Sequence, residues 1–317
     1  MVTKLNKPSN QPFSLRTWLR SLWAFSRPHT IVGTSLSVGA LGVMALALSG
    51  SAGTASWLIL AALVPSLCAN VYIVGLNQLT DIAIDRINKP RLPLASGAFS
   101  VTTGQRIVVG LGLLALVLSM VQGPILFATV CLSMLIGTVY SLPPLRLKRF
   151  PFWAALCIFG VRGLIVNLGF FNHFRYSFSG VFWQAIPAEV WALTGFVVLF
   201  AVAIALFKDI PDLEGDRQFQ VRTLTVRLGS RYVFRLSLWV LTISYALLIA
   251  LALGGVLPSI HTGFLSITHL ALLMLLIWRS RRVTLTQKSQ IKQFYQFIWQ
   301  LFFLEYILFP IACILGQ

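Results

Sequence analysis

Acid is what this 317-residue chain has least of: five aspartates and three glutamates stand against 25 lysines and arginines. Charged residues of both signs make up only 10% of the sequence while 57% is hydrophobic, far more apolar surface than one water-soluble core of this size needs. Cysteine is scarce too. Cys68, Cys131, Cys157 and Cys313 stand singly inside apolar runs with no C-x-x-C spacing, which argues against a disulfide framework or a cysteine metal site and leaves them as core thiols. There is no linker rich in Gly, Ser or Pro, so residues 1–317 read as a single membrane domain. The first 30 residues show neither a long Ser/Arg-rich transit segment nor a cleavable signal.

What the chain has in abundance is apolar runs near the ~20 residues that cross a bilayer as helix. Nine are legible, at about 31–49, 55–79, 106–122, 124–141, 151–171, 190–207, 236–257, 263–278 and 297–315. The fold class expected is therefore all-α, a polytopic membrane protein with nine transmembrane helices. The formal charge of +17 would suit nucleic acid, but its distribution excludes that reading. Basic residues fill the N-terminal tail and every second loop, and only Arg162 and Arg175 depart from the pattern. By the positive-inside rule the basic face is cytoplasmic, which puts the C-terminal "ILGQ" on the other side. Residues 1–30 form a cytoplasmic or interfacial segment, in which "LRTWLRSLWAFSR" sets leucines and Trp18 against Arg16 and Arg20 at helical spacing.

All five aspartates sit in two short stretches, "NQLTDIAID" after the second span and "DIPDLEGD" after the sixth. Four spans separate the stretches, as two pseudo-repeated four-helix halves plus one further helix would require. If the second span continues through the first stretch, the step of four puts Asn77, Asp81 and Asp85 on one helical face. The step of three does the same for Asp209 and Asp212, with Pro211 and Gly215 expected to bend or end that helix. Both clusters are expected at the C-terminal, partially negative ends of their helices, where an anion costs about 0.3–1 kcal/mol. Like charges one turn apart cost a further ~0.2–0.5 kcal/mol per pair. Concentrating the acids there implies a shared cation.

Hard divalent ions take carboxylate and carbonyl oxygens, and Mg²⁺ keeps positions open for substrate phosphate. Two facing acid patches with bases nearby thus suggest a diphosphate clamped through Mg²⁺ ions held by Asn77, Asp81, Asp85, Asp209, Asp212 and Asp216. The segment "YSLPPLRLKRF" supplies Arg146 and Lys148 for the diphosphate, with Tyr140 and Ser141 as hydrogen-bond donors. The loop after the sixth span adds Lys208, Arg217 and Arg222.

Taken together, the chain resembles the UbiA superfamily of intramembrane prenyltransferases. "NQLTDIAID" is similar to that superfamily's first motif, N-x-x-x-D-x-x-x-D, and "DIPDLEGD" to its second, D-x-x-D-x-x-x-D. The resemblance spans essentially the whole chain, and Gln78 after Asn77 favours the homogentisate-prenylating group over those that read N-D-x-x-D. It implies phytyl diphosphate and homogentisate as substrates, decarboxylation, and 2-methyl-6-phytyl-1,4-benzoquinol as product, a step of tocopherol synthesis. By the same resemblance Lys148 stabilises the leaving diphosphate, Asp209 takes up a proton and His29 contacts the acceptor. Phe170, Phe171 and Phe207 are candidates to shelter the isoprenoid tail. The setting implied is a cyanobacterial plasma or thylakoid membrane, with lipid as neighbour and no obligatory protein partner.

Two other readings stay open at this level. One is a related transferase with another aromatic acceptor or a geranylgeranyl donor. The other is a transporter, whose ionisable residues should lie at mid-membrane rather than at span ends.

Overall fold

The computed structural model describes residues 14–49, 56–182, 184–218 and 223–317. Among these residues every regular element is helical. A short helix α1 (Leu15–Phe25) precedes the first span, α2 (Pro28–Ser49). The second span, α3 (Ser56–Thr80), is followed by two short helices, α4 (Ile82–Asn88) and α5 (Pro93–Ser96). Spans three and four are α6 (Val101–Val121) and α7 (Pro124–Ser141). The fifth runs through α8 (Pro151–Phe159), a π-turn at Gly160–Ile165 and α9 (Val166–Ser179). The sixth, α10 (Ala188–Phe207), leads into α11 (Asp209–Gln218) and α12 (Leu224–Leu228). The last three are α13 (Ser230–Leu253), α14 (Thr262–Ser280) and α15 (Lys288–Leu315).

Nine of these helical stretches are long and apolar enough to cross a bilayer, and the protein is an integral membrane protein. The fifth span extends to Ser179, past the expected stop near 171, because its polar residues are accommodated: His173 is buried, and the Arg175 guanidinium stands 5.7 Å over the Phe171 ring and donates to the Ala185 carbonyl at 2.7 Å. The ninth starts at Lys288, nine residues before its apolar run, since polar first turns continue the same helix.

Packing follows the chain order and then closes it. The two most extensive helix pairs are α3 with α6 and α10 with α13, the second and third spans of each proposed half. The last span, α15, packs against α2, α10 and α14. Aromatic side chains fill that junction: Phe200 meets Tyr245 at 5.9 Å and Phe302 at 6.2 Å, centroid to centroid. On the helix before the first span, Leu15, Leu19 and Trp23 face outward while Trp18 lies 6.1 Å from Phe99, the arrangement of a helix resting at an interface.

The acid stretches do not fold as the spacing suggests. The second span stops at Thr80, Asp81 takes a non-helical conformation (φ −118°, ψ 16°), and α4 begins after it. Asp85 therefore sits in the first turn of a new helix, as do Asp209 and Asp212 in α11. The expectation that the clusters occupy negative helix ends holds for Asn77, in the last turn of α3, and for Asp216, in the last turn of α11, but not for Asp85, Asp209 and Asp212, which lie at positive ends that favour anions. Pro211 does not end its helix either, because a proline in the first turn removes an N–H that had no partner there. What sets these breaks is the restart of the chain at each junction: the Asp85 amide donates to the Asp81 carbonyl at 2.8 Å, opening the new helix.

Candidate active site

Four cations converge on the first acid stretch. Asp81 Oδ1 accepts from Lys148 Nζ at 2.7 Å and from Arg146 Nη2 at 3.1 Å, and both bases also reach the helix end, at Thr80 Oγ1 (2.7 Å) and the Thr80 carbonyl (3.1 Å). Arg27 donates to Asn77 Oδ1 at 3.4 Å and stands 3.9 Å from Asp85 Oδ2. Two of these bases come from strained backbone: Arg27 and Arg146 have positive φ, 52° and 37°, conformations that cost non-glycine residues energy and that concentrate at functional sites.

The second stretch is joined to the first by Lys89. Its ammonium lies 2.8 Å from Asp212 Oδ2 and 3.9 Å from Asp85 Oδ1, so one side chain bridges residues on α4 and α11. The helices can approach because Gly215 has no side chain, and a Cβ there would collide with the Asn88 amide. Gly215 is thus a packing contact and not the helix end its sequence position suggested. Beside this, Lys208 Nζ sits 4.0 Å from Asp209 Oδ1 and 3.4 Å from the Tyr140 hydroxyl.

Burial tunes these groups. Desolvation raises the Asp85 and Asp209 carboxyls above the ordinary range, against the pull of Lys89 and Arg27 on the first and of Lys208 on the second. Asp216 is pushed up to about 7 by burial, then by the charges of Asp209 and Asp212. Burial lowers Lys148, and Asp81 opposes the shift. Among the described residues no three His, Cys, Asp or Glu side chains close into a ready-made metal centre, because Lys89, Arg146 and Lys148 stand between the carboxylates. Hard oxygen donors are nonetheless at hand: Asp85 Oδ2, 3.9 Å from Arg27, and Asn88 Oδ1 are buried without a hydrogen-bond donor. Such a donor set fits a divalent ion of the Mg²⁺ type.

Beneath this charged mouth a cavity of about 300 Å³ runs inward between the helices. Asn77, Arg27, Tyr140 and Lys208 rim it; Val74, Ile73, Val130, Ile136 and Phe170 give apolar wall; and Arg162, Trp299 and Tyr306 lie deeper along it. His29 lines it as well, its ring edge-on to Trp299 at 5.0 Å.

Of the residues expected from sequence, the structure brings Asn77, Asp81, Asp85, Asp209, Asp212, Arg146 and Lys148 to one mouth, with Asp216 on the same short helix. It leaves two outside. Arg217 is exposed and pairs with no other described residue; Ser141 is buried with its hydroxyl unpartnered and off the cavity wall; Arg222 lies outside the described residues. Phe170 lines the cavity, but Phe171 packs under Arg175 and Phe207 is locked among Phe234, Phe294 and Tyr295, so neither shelters a ligand there. Sequence reasoning passed over Lys89 and Arg27. Lys89 had a visible signal, one turn beyond Asp85, whereas Arg27 had none beyond its charge, since its approach to Asn77 is purely tertiary.

Fold and site together define a polytopic helical enzyme that works inside the bilayer, a charged mouth opening onto an apolar-walled chamber. The chain belongs to the UbiA prenyltransferase family, whose profile matches residues 35–301. It is 50% identical over 297 residues to the homogentisate phytyltransferase of Synechocystis sp., covering 93% of this chain and 96% of that one. To the chloroplastic homogentisate phytyltransferase 1 of Arabidopsis thaliana it is 42% identical, over 94% of this chain and 76% of the relative. A UbiA homologue from Archaeoglobus fulgidus, solved bound to GPP and Mg²⁺, shares the fold with a TM-score of 0.61 at 17% identity, over 93% of this chain and 99% of that one.

Proposed function

We propose that the chain transfers a phytyl group from phytyl diphosphate to homogentisate with loss of CO₂, giving 2-methyl-6-phytyl-1,4-benzoquinol. The observation that carries this reading is the convergence of both acid stretches, bridged by Lys89, over an apolar-walled cavity. Identity of 50% to a homogentisate phytyltransferase along nearly the full length supports the choice of substrates.

Mg²⁺ held by Asn77, Asp81, Asp85, Asp209, Asp212 and Asp216 would carry positive charge to the diphosphate oxygens when bound. Arg146 and Lys148, now paired with Asp81, turn toward the diphosphate and stabilise the charge that grows as its bond to the allylic carbon breaks. Tyr140 at the rim offers a further donor. The apolar wall, Phe170 included, keeps water from the allylic cation until the electron-rich ring attacks. Asp209, whose burial raises its affinity for a proton, accepts the ring proton as a carboxylate, and the side-chain carbon left by CO₂ takes up a proton to become the methyl group. His29 meets the acceptor from the cavity wall. The whole chain works as one catalytic unit, its mouth toward the cytoplasm, since the basic loops share that face.

Membranes containing the chain should form the phytylated quinol from homogentisate and phytyl diphosphate with Mg²⁺, read by mass spectrometry. Dihydroxynaphthoate, chlorophyllide and geranylgeranyl diphosphate are run in parallel. Product only with another acceptor, or none, overturns the assignment.

A further inference from the structure

Arg162 is a cation inside the membrane that no acidic residue neutralises. It sits on the π-turn of the fifth span, and among the described residues no carboxylate lies within ion-pair distance and no hydrogen bond engages it. Glu305, on α15 close to Tyr306, turns away and bonds His269 Nε2 at 2.9 Å instead. Aromatic faces hold the guanidinium: its carbon lies 4.9 Å from the Trp299 ring centroid and 5.7 Å from that of Phe302. Stacking of this kind fixes the plane of the group but leaves its N–H edge without an acceptor. Arg162 lines the cavity.

Its level in the cavity is informative. A Cβ on Gly33 would stand 3.3 Å from Arg162 Nη1, so the guanidinium lies beside Gly33 of α2. Gly33 stands five residues of helical rise, roughly 7.5 Å, beyond the start of α2 at Pro28, and Arg27, just before that start, belongs to the mouth. Arg162 therefore sits deeper than the mouth, by more than one helical turn along α2. Polar groups share the wall there: Asn70 donates to Thr30 Oγ1 at 3.0 Å, Thr34 reaches Asn70 Oδ1 at 3.4 Å, and the Tyr306 hydroxyl donates to Asn167 Oδ1 at 2.8 Å. A desolvated cation in such a place is retained at a cost of several kcal/mol unless an anion meets it.

We propose that Arg162 binds the carboxylate of the aromatic acceptor, anchoring the acid end so that the ring faces the mouth, and so selects acids over neutral phenols. The proposal rests on the acceptor reading above, in which homogentisate supplies that carboxylate. Trp299 and Phe302 act as positioning residues for the guanidinium.

The test compares homogentisate with its primary amide, an uncharged near-isostere, on the purified full chain in detergent with Mg²⁺ and phytyl diphosphate, reading affinity by ligand-dependent thermal shift and turnover by product analysis. Wild type should bind the acid roughly ten- to a hundredfold more tightly than the amide, the worth of a charge-assisted hydrogen bond. Arg162→Gln should bring the two affinities together while leaving phytyl diphosphate affinity unchanged, and Arg162→Lys should keep part of the preference. Equal affinities in wild type, or an undiminished preference in Arg162→Gln, overturns the anchor; if that variant does not fold, an undiminished preference in Arg162→Lys overturns it. Wild type that prefers the acid but never phytylates it sinks the proposed reaction and leaves the anchor; wild type that phytylates the acid but binds acid and amide equally well does the reverse.

Discussion

Lys89 Nζ stands 2.8 Å from Asp212 Oδ2, a contact between residues 123 positions apart that ties the two acid stretches together. In the absence of another cation this ammonium offsets the repulsion between Asp85 and Asp212. Replacing it shows how much of that duty a divalent ion can assume. Lys89→Met should lower Tm without divalent ions, and added MgCl₂ should raise Tm by more in the variant than in wild type. Equal Mg²⁺-induced shifts in the two proteins would separate Lys89 from the ion's site.

Asp81 orders both Lys148 and Arg146, and Asp212 holds the second stretch to the first. Asp81→Ala or Asp212→Ala should each lower kcat/KM for prenyl transfer roughly a hundredfold or more, the scale of losing an electrostatic contact to a charged transition state. Glu214 is the internal control, exposed and paired only loosely with Lys288 at 3.4 Å. Its alanine variant should match wild type, and a loss of similar size there would remove the distinction drawn between the acids.

Asp216 carries a pH signature. Burial and the neighbouring carboxylates push its pKa up to about 7 from the model-compound 3.8, so between about 4 and 7 the folded state binds a proton that the unfolded state has released. Stability without divalent ions should then fall as pH rises through that window and level off above it. Mg²⁺ binding, which needs the carboxylate, should weaken as pH drops below about 7. Thermal melts and Mg²⁺ titrations at pH 6 and pH 8 read both effects, and Asp216→Asn should flatten them. A wild-type Mg²⁺ affinity independent of pH would contradict the assignment.

Gly215 allows α11 to lie against Asn88 of α4. Gly215→Ala drives a methyl group into the Asn88 side chain, an overpacking that costs about 1–3 kcal/mol where the core does not yield. Because the same contact sets the spacing of the acid stretches, activity should fall further than Tm alone explains. Full activity at a lowered Tm would show that the spacing is not needed for turnover.

How much of this was legible beforehand divides along a physical line. Nine spans, the basic face and the two acid stretches follow from hydropathy and charge, which are properties of contiguous residues and need no partner to be read. The pairing of Asn77, Asp81 and Asp85 on one unbroken helix was misjudged, because helix spacing says where side chains fall only if the helix continues, and the chain restarts at Asp81. Nothing local separates Phe170, on the cavity wall, from Phe171 beside it, turned under Arg175: adjacent positions on a helix point about 100° apart, and only the neighbouring spans decide which direction is hollow.

From the sequence alone came a membrane-spanning helical chain with its five aspartates gathered at two span ends, since bilayer thickness and the expense of charge in lipid leave a linear record. The tertiary structure alone decided that Lys89 and Asp212 meet, that Arg146 and Lys148 close on Asp81, and that Arg162 faces a cavity between two rings with no acid beside it. Those relations depend on which helix faces pack and how closely, a choice made jointly by side chains far apart in the chain and so absent from any single stretch of it.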